Sequence, residues 1–403
     1  MHLWPFDGSC DYDHLIGTGW TPSPLNEFIF KIESRCNLNC DYCYVYNLGD
    51  ESWRTAPRFM TPDIARMAAR RIRAHAETHG LTSVGISFHG GEPLLRGVAP
   101  VRRLYDSISQ ELGDLPAEYS IQTNGTLITE EVAADLAAMG LRVGVSLDGD
   151  EEGNKHRLDL GGKSSYARTV RGVQLLAQHE GLLQGALAVI DITADPARTY
   201  RAIADCGFRS VDFLFPHGTW ELLPPGKTAT DRTPSAPAPY AEWLLAIYEE
   251  WADDPDRMRV RIFDDIIHLL LGGQHSFETL GVSPARLAVV EADGGLELVD
   301  HVGVTYEGAA ETGANVLTHR VDDLLRHPGV TSRQLGRSAL ADSCSDCALV
   351  DTCGGGLITH RFDQVNGFKN PTVYCSDLYT LIEVIGRDLE ARIGVATGVL
   401  AAQ

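Results

Sequence analysis

No run of 18 consecutive apolar residues occurs in this 403-residue chain, which excludes a hydrophobic membrane-spanning helix. The first ten residues, Met1–Cys10, carry Asp7 and no basic cluster, so they do not read as a secretory signal. Together these two absences point to a cytoplasmic protein with no membrane partner. Basic residues are scarce as well: 34 Lys and Arg face 55 Asp and Glu, a net charge of −21. Phosphate affinity comes from Lys and Arg, so nucleic acid is excluded as a partner. Hydrophobic residues at 44% and charged residues at 22% exclude a disordered or fibrous chain and leave an ordinary globular one. At roughly 150 residues per domain the length allows two to three domains.

Cysteine is infrequent but not scattered. Cys36, Cys40 and Cys43 fall within eight residues, and Cys344, Cys347, Cys353 and Cys375 within 32. Cys10 and Cys206 stand alone and read as small buried hydrophobes. In a cytosolic chain such clusters are metal ligands or catalytic groups rather than structural disulfides.

Glu27–Glu33 alternates as a strand and leads directly into the first cluster. Further strands are expected at 83–89, 118–123, 142–147, 183–191 and 210–215. Helices are expected at 61–79, 99–111, 129–139, 164–179 and 195–206, the first with Thr61 as N-cap and Pro62 at N1. This alternation implies an α/β fold with a parallel sheet, six βα units rather than the eight of a closed barrel. Residues 224–239 hold five prolines and read as a linker, followed by helices near 240–252 and 261–271. An Asp-Gly-Gly turn at 293–295 marks a hairpin, and 377–395 reads as a helix. Gly161-Gly162-Lys163-Ser164 resembles the end of a phosphate loop, but Arg157 stands where such a loop needs its first Gly.

Cys36-Asn-Leu-Asn-Cys40-Asp-Tyr-Cys43 is a CxxxCxxC loop after a strand. Three thiolates can hold three irons of a 4Fe-4S cluster and leave the fourth iron open. Zinc competes for soft thiolates, but structural zinc takes four closed ligands and no fourth is nearby. The loop, with Tyr42 beside Cys43, resembles the signature of radical S-adenosylmethionine (SAM) enzymes. Three later strand ends resemble the same family: Gly90-Gly91-Glu92-Pro93, Gln122-Thr123-Asn124-Gly125 and Ser146-Leu147-Asp148-Gly149. The resemblance implies that Gly90, Gly91 and Glu92 meet the amino group of SAM, and that Asn124 ends the third strand beside it. It implies further that Ser146 and Asp148 face the SAM carboxylate and ribose, and that Arg157 pairs with the carboxylate. Taken alone, Asn124-Gly125 is a simple turn and Arg157 a solvated surface charge.

The second cluster reads CxxCxxxxxC, with Cys375 22 residues further on. It resembles the C-terminal SPASM module of radical SAM enzymes that modify peptides. That module ordinarily carries seven cysteines for two auxiliary clusters. The four here match the set that fully ligates one. Leu357 stands where the family has another Cys, and 276–319 contains none. The resemblance therefore implies two [4Fe-4S] clusters in all, one binding SAM and one auxiliary. A single zinc on the four C-terminal cysteines is the alternative.

The expected architecture is a partial (β/α)6 TIM-type barrel followed by a small SPASM/twitch-like iron-sulfur module. Its expected parts are an N-terminal extension at 1–24, the radical SAM barrel at 25–223, a Pro-rich linker with bridging helices at 224–275, the auxiliary module at 276–380, and a C-terminal helix and tail at 381–403. Glu291–Asp300, Tyr306–Ala310, His327-Pro-Gly, Cys353–Arg361 and Asn366–Cys375 resemble the FxsB-type group, which modifies ribosomally made peptides. That resemblance implies a cytoplasmic oxidoreductase that joins an aromatic ring to a side-chain β-carbon, a three-residue cyclophane. It also implies a precursor peptide as partner and an external electron donor of flavodoxin or ferredoxin type. Other outcomes of the same chemistry are thioether formation, epimerisation and sulfatase-type Ser or Cys oxidation; a non-enzymatic iron-sulfur carrier or sensor is the remaining alternative. Asp300 occupies the position of a proposed base in sulfatase-maturating relatives, and read without the resemblance it is a solvent-facing turn carboxylate beside His301.

Overall fold

The structure is a computed structural model describing residues 10–274 and 278–401, with side chains described to 394. The expected extension, module and tail therefore begin or end partly outside the described residues, at 1–9, 275–277 and 402–403.

Six parallel strands follow one another in sequence and in space: β1 (Glu27–Glu33), β2 (Val84–Gly90), β3 (Ala117–Thr123), β4 (Arg142–Ser146), β5 (Leu183–Val189) and β6 (Ser210–Leu214). Each is joined to the next by helix-containing segments, as parallel pairing requires. Helix Pro62–His79 starts as the sequence predicts: Thr61 Oγ1 accepts from the Ile64 N–H and proline fills the first turn. Helix Pro196–Asp205 repeats the device with Asp195 and Pro196. Phe28, Phe30 and Ile32 of β1 are buried with Ile86 and Phe88 of β2 in one apolar core. By the two-residue period of a strand, Lys31 and Glu33 share the opposite face.

The sheet continues beyond the six units. β7 (Arg259–Val260) extends it past β6, while β8 (Leu287–Val290) pairs in parallel with β1. The hairpin of β8, β9 (Gly295–Glu297) and β10 (Glu311–Asn315) then runs antiparallel, giving ten strands in the order β10-β9-β8-β1-β2-β3-β4-β5-β6-β7. The order is open, with β10 and β7 as its edges, as a partial barrel requires. The segment expected as a separate module is thus joined to the barrel by β8, and Val289–Val290 is one of its most buried pieces.

Two expected boundaries are corrected. The Pro-rich segment 224–239 is no free linker: Lys227 is fully buried there and pairs with Asp377 at 2.8 Å, also fully buried. Its ammonium also donates to Ser376 Oγ, so two bonds pin the segment to the C-terminal helix, and a third, to the Pro237 carbonyl, closes the segment on itself. Proline density identified irregular backbone and gave no sign of this anchor. The boundary at 380/381 falls inside one helix, Cys375–Ala401. Of the N-terminal extension, helix Tyr12–Gly17 lies on the C-terminal part: Arg326 pairs with Asp13 at 2.6 Å and sits over Tyr12.

Candidate active site

The C-terminal ends of β1 to β6 surround a cavity of about 230 Å³. Loops at this end of parallel strands are where barrel enzymes build their sites. Cys36, Cys40 and Cys43 line it from the loop after β1, with Tyr42 between them in sequence. Gly90 ends β2 and Gly91 follows it, Asn124 follows β3, and Ser146 ends β4. Leu214–His217 close the far wall after β6. A Cβ on Gly91 would fall 2.0 Å from Tyr46 Oη and 2.4 Å from the Arg35 carbonyl, so no larger residue fits this turn.

Burial pushes the Cys36 thiol up to about 12 and the Cys40 thiol to about 11; neighbouring cysteines push in the same direction. A soft metal bound by this loop displaces thiol protons and holds its ligands as thiolates. The Leu38 N–H and Asn124 Nδ2 already reach Cys36 Sγ, at 3.4 and 3.8 Å. Arg157 is 7% exposed and donates from Nη1 to Tyr42 Oη, inside the cysteine loop, at 2.8 Å. Its Nε is buried without a hydrogen-bond partner. A buried unsatisfied donor of a cation near Cys40, in the cavity the three cysteines line, fits a ligand carboxylate. The surroundings therefore suit an open cluster with SAM, and Arg157 is not a solvated surface charge.

Two expected SAM contacts are placed differently. Glu92 is fully buried and accepts from Leu94 N, Thr123 Oγ1 and Asn124 N, tying the second strand end to the third. Asp148 accepts from Val189 N at 3.0 Å and from Tyr42 Oη. Neither lines the cavity. Both stand behind it and orient the residues that do, because protein donors already occupy their oxygens. Ser146 does line it and accepts from Gln122 Nε2 at 2.9 Å.

Asp300 is not a solvent-facing turn residue. Its side chain is 13% exposed and pairs with Lys31 at 2.5 Å. Burial favours the neutral amine, but Asp300, Glu291 and Tyr44 outweigh it and hold Lys31 charged. The pair faces a second, acid-lined cavity of about 190 Å³ with Glu291 and Glu297. Tyr44, Val45, Tyr46 and Gly91 belong to both cavities, so Asp300 adjoins the first without lining it. Burial moves Glu291 up to about 7.

Lys31 and two histidines are the functional candidates that motif reading passed over or only touched. His89 and His217 line the main cavity, each with a buried Nδ1 that has no partner. Burial brings both down to about 4, so both are neutral near pH 7. A lysine on the inward face of β1 was the available signal. Asp212, a further polar residue near the mouth, is engaged by Arg261.

The four C-terminal cysteines also converge. Cys344, Cys347, Cys353 and Cys375 line one small cavity of about 60 Å³. Burial pushes Cys353 up to about 11 and Cys375 to about 12, reinforced by the other thiols of the set. Four soft donors around so little space fit a closed metal centre. By contrast, the trio His75, His79 and Asp322 reads as structural. His75 Nε2 accepts the Leu25 N–H, which leaves its Nδ1–H to donate to Asp322 at 3.1 Å.

Residues 30–192 match the family model of the Radical SAM superfamily. The chain is 24% identical over 371 residues to the serine-type anaerobic sulfatase-maturating enzyme of Bacteroides thetaiotaomicron, covering 88% of each chain. It is 27% identical over 368 residues to the cysteine-type anaerobic sulfatase-maturating enzyme of Clostridium perfringens, covering 89% of this chain and 96% of that one. Among solved structures, native anSMEcpe with bound AdoMet superposes with a TM-score of 0.76 at 23% identity, over 93% of this chain and all of that one. That last likeness establishes the fold. The chain thus carries a radical SAM domain, is homologous to anaerobic sulfatase-maturating enzymes, and is an enzyme of oxidoreductase type using SAM and iron-sulfur clusters. Among the described residues no helix is long and apolar enough to cross a membrane.

Proposed function

We propose that this enzyme installs a carbon–carbon crosslink in a ribosomally made precursor peptide, joining an aryl ring to a side-chain β-carbon. The observation that carries a radical reaction on a peptide is the pairing of an open three-cysteine site at a cavity mouth with a closed four-cysteine site in the same chain. When bound, SAM and the cluster on Cys36, Cys40 and Cys43 supply a 5′-deoxyadenosyl radical that abstracts hydrogen. The protein's own residues do the rest. Arg157, held by Tyr42, orients the SAM carboxylate; Gly90 and Gly91 leave room for its amino group; Asn124 and Ser146 border it. The crosslink releases one electron and one proton beyond the abstracted hydrogen. Asp300 is the proposed base for that proton, with Lys31 fixing its direction. The four-cysteine centre and an external flavodoxin- or ferredoxin-type protein handle electrons.

The names of the relatives favour a second reading, oxidation of a Ser or Cys side chain as in sulfatase maturation. It needs the same radical, base and electron path, so mass analysis must decide. A candidate precursor is co-expressed with the enzyme, and its product is fragmented. A crosslink removes two hydrogen atoms and suppresses backbone fragments across the bridged residues, with loss of label from a deuterated β-carbon. A product that forms a hydrazone would establish an aldehyde and overturn the crosslink.

A further inference from the structure

Cys353 is followed by Gly354-Gly355-Gly356, and all three glycines are left-handed, with φ of 60°, 75° and 65°. A Cβ on Gly354 would lie 1.7 Å from the Gly281 carbonyl, so the run admits no side chain at its start. The conformation turns three successive carbonyls onto one guanidinium. Arg361 donates from Nε to Gly355 O at 3.0 Å, and from Nη2 to Gly354 O at 3.0 Å and Gly356 O at 2.6 Å. The same loop leads directly out of Cys353, so the glycine run joins the cysteine set to the arginine.

No hydrogen bond or ion pair joins Arg361 to a carboxylate among the described residues. Glu278, which acts on Arg361 through space, is itself paired with Arg333. Arg361 is half-buried, and the carbonyl dipoles offset only part of the cost of taking its charge out of water. As thiolates on a bound metal, Cys344 and Cys353 would add negative charge beside Arg361. The buried cation on the other side is different. Lys227, which faces Cys375, is neutralised by Asp377 at 2.8 Å. Arg361 therefore stands beside the four-cysteine centre with no carboxylate bonded to it among the described residues.

We infer that Arg361, clamped by the Gly354–Gly356 carbonyls, raises the reduction potential of the centre on Cys344, Cys347, Cys353 and Cys375 and thereby fits it to accept an electron. This deepens the proposed function and rests on its reading of that centre as iron-sulfur. One-electron reduction adds one negative charge and moves no proton. A fixed adjacent cation stabilises the more negative state. Arg361 touches no substrate; it acts through the centre, as a positioning residue acts through its partner.

The test is a redox titration followed by electron paramagnetic resonance, on full-length protein bearing Cys36→Ala, Cys40→Ala and Cys43→Ala. Only the C-terminal centre then contributes a signal. Arg361→Gln is expected to lower the reduced-to-oxidised ratio at a given applied potential by about tenfold, a shift of about 59 mV for one electron. Arg361→Lys, which keeps the charge and loses the fork, should retain most of the wild-type ratio. An unchanged ratio in Arg361→Gln overturns the inference. Loss of iron from both variants also overturns it, by assigning Arg361 to structure alone. Zinc in place of iron sinks the cofactor reading as well, and metal analysis separates that failure from a flat potential.

Discussion

The two cysteine sites use the same donor atom and differ in what surrounds it. At the barrel mouth, three thiols share a cavity of about 230 Å³ with a buried arginine whose Nε lacks a partner. In the C-terminal part, four thiols close on about 60 Å³, and the adjacent arginine spends its donors on backbone carbonyls. The first site keeps a coordination position and the polar groups to orient a ligand there. The second leaves no position open. Ligand count alone would have assigned both to iron-sulfur chemistry; the free volume and the arginines distinguish them, and the proposed tasks, radical generation and electron handling, rest on that difference.

The largest effect should come from removing the open site. Replacing Cys36, Cys40 and Cys43 by Ala should abolish 5′-deoxyadenosine formation and reduce iron from about eight per chain to about four. About twelve irons in the unaltered protein would show that the ligand count is wrong. Breaking the closed site should be milder for the first step. Cys344→Ala should lose the C-terminal metal and lower the melting temperature, because metal binding contributes folding energy in such segments, while SAM cleavage persists. Unchanged iron content would contradict this.

Asp300 sharpens the comparison, since it lies between the two tasks. Asp300→Asn should cost on the order of 10²-fold in modified peptide while 5′-deoxyadenosine still forms. Product at the wild-type level would remove Asp300 from proton transfer and leave His89 or His217 to be tested. A smaller effect concerns those histidines. Burial lowers His217 from 6.5 to about 4, so the unfolded chain binds the proton more tightly. Its stabilising contribution is present above pH 6.5 and is lost as pH falls through about 4. Between pH 7 and 4.5 the unfolding free energy of wild type should fall by about 2 kcal/mol more than that of His217→Phe. Parallel urea titrations at both pH values check this.

Local chemistry was legible in the sequence. The cysteine spacings, the strand ends at Gly90, Asn124 and Ser146, and the capped helix at Pro62 follow from short-range rules, and the structure brings them together. Long-range partners were not legible. Lys31 and Asp300 are 269 residues apart and meet only because β8 joins the sheet beside β1. Lys227 and Asp377 meet for a similar reason, and the Pro-rich segment between barrel and module becomes a buried anchor. Glu92 and Asp148 carry the expected motifs, yet their oxygens are taken by protein donors, which spacing cannot reveal.

The most direct test of the contrast between an open and a closed site is electron paramagnetic resonance of the reduced, anaerobically reconstituted protein with and without SAM. SAM should change the signal of one cluster alone, the one lost on replacing Cys36, Cys40 and Cys43, and 5′-deoxyadenosine should follow. A signal from that cluster that ignores SAM, or a response from the cluster on Cys344, Cys347, Cys353 and Cys375, would contradict it.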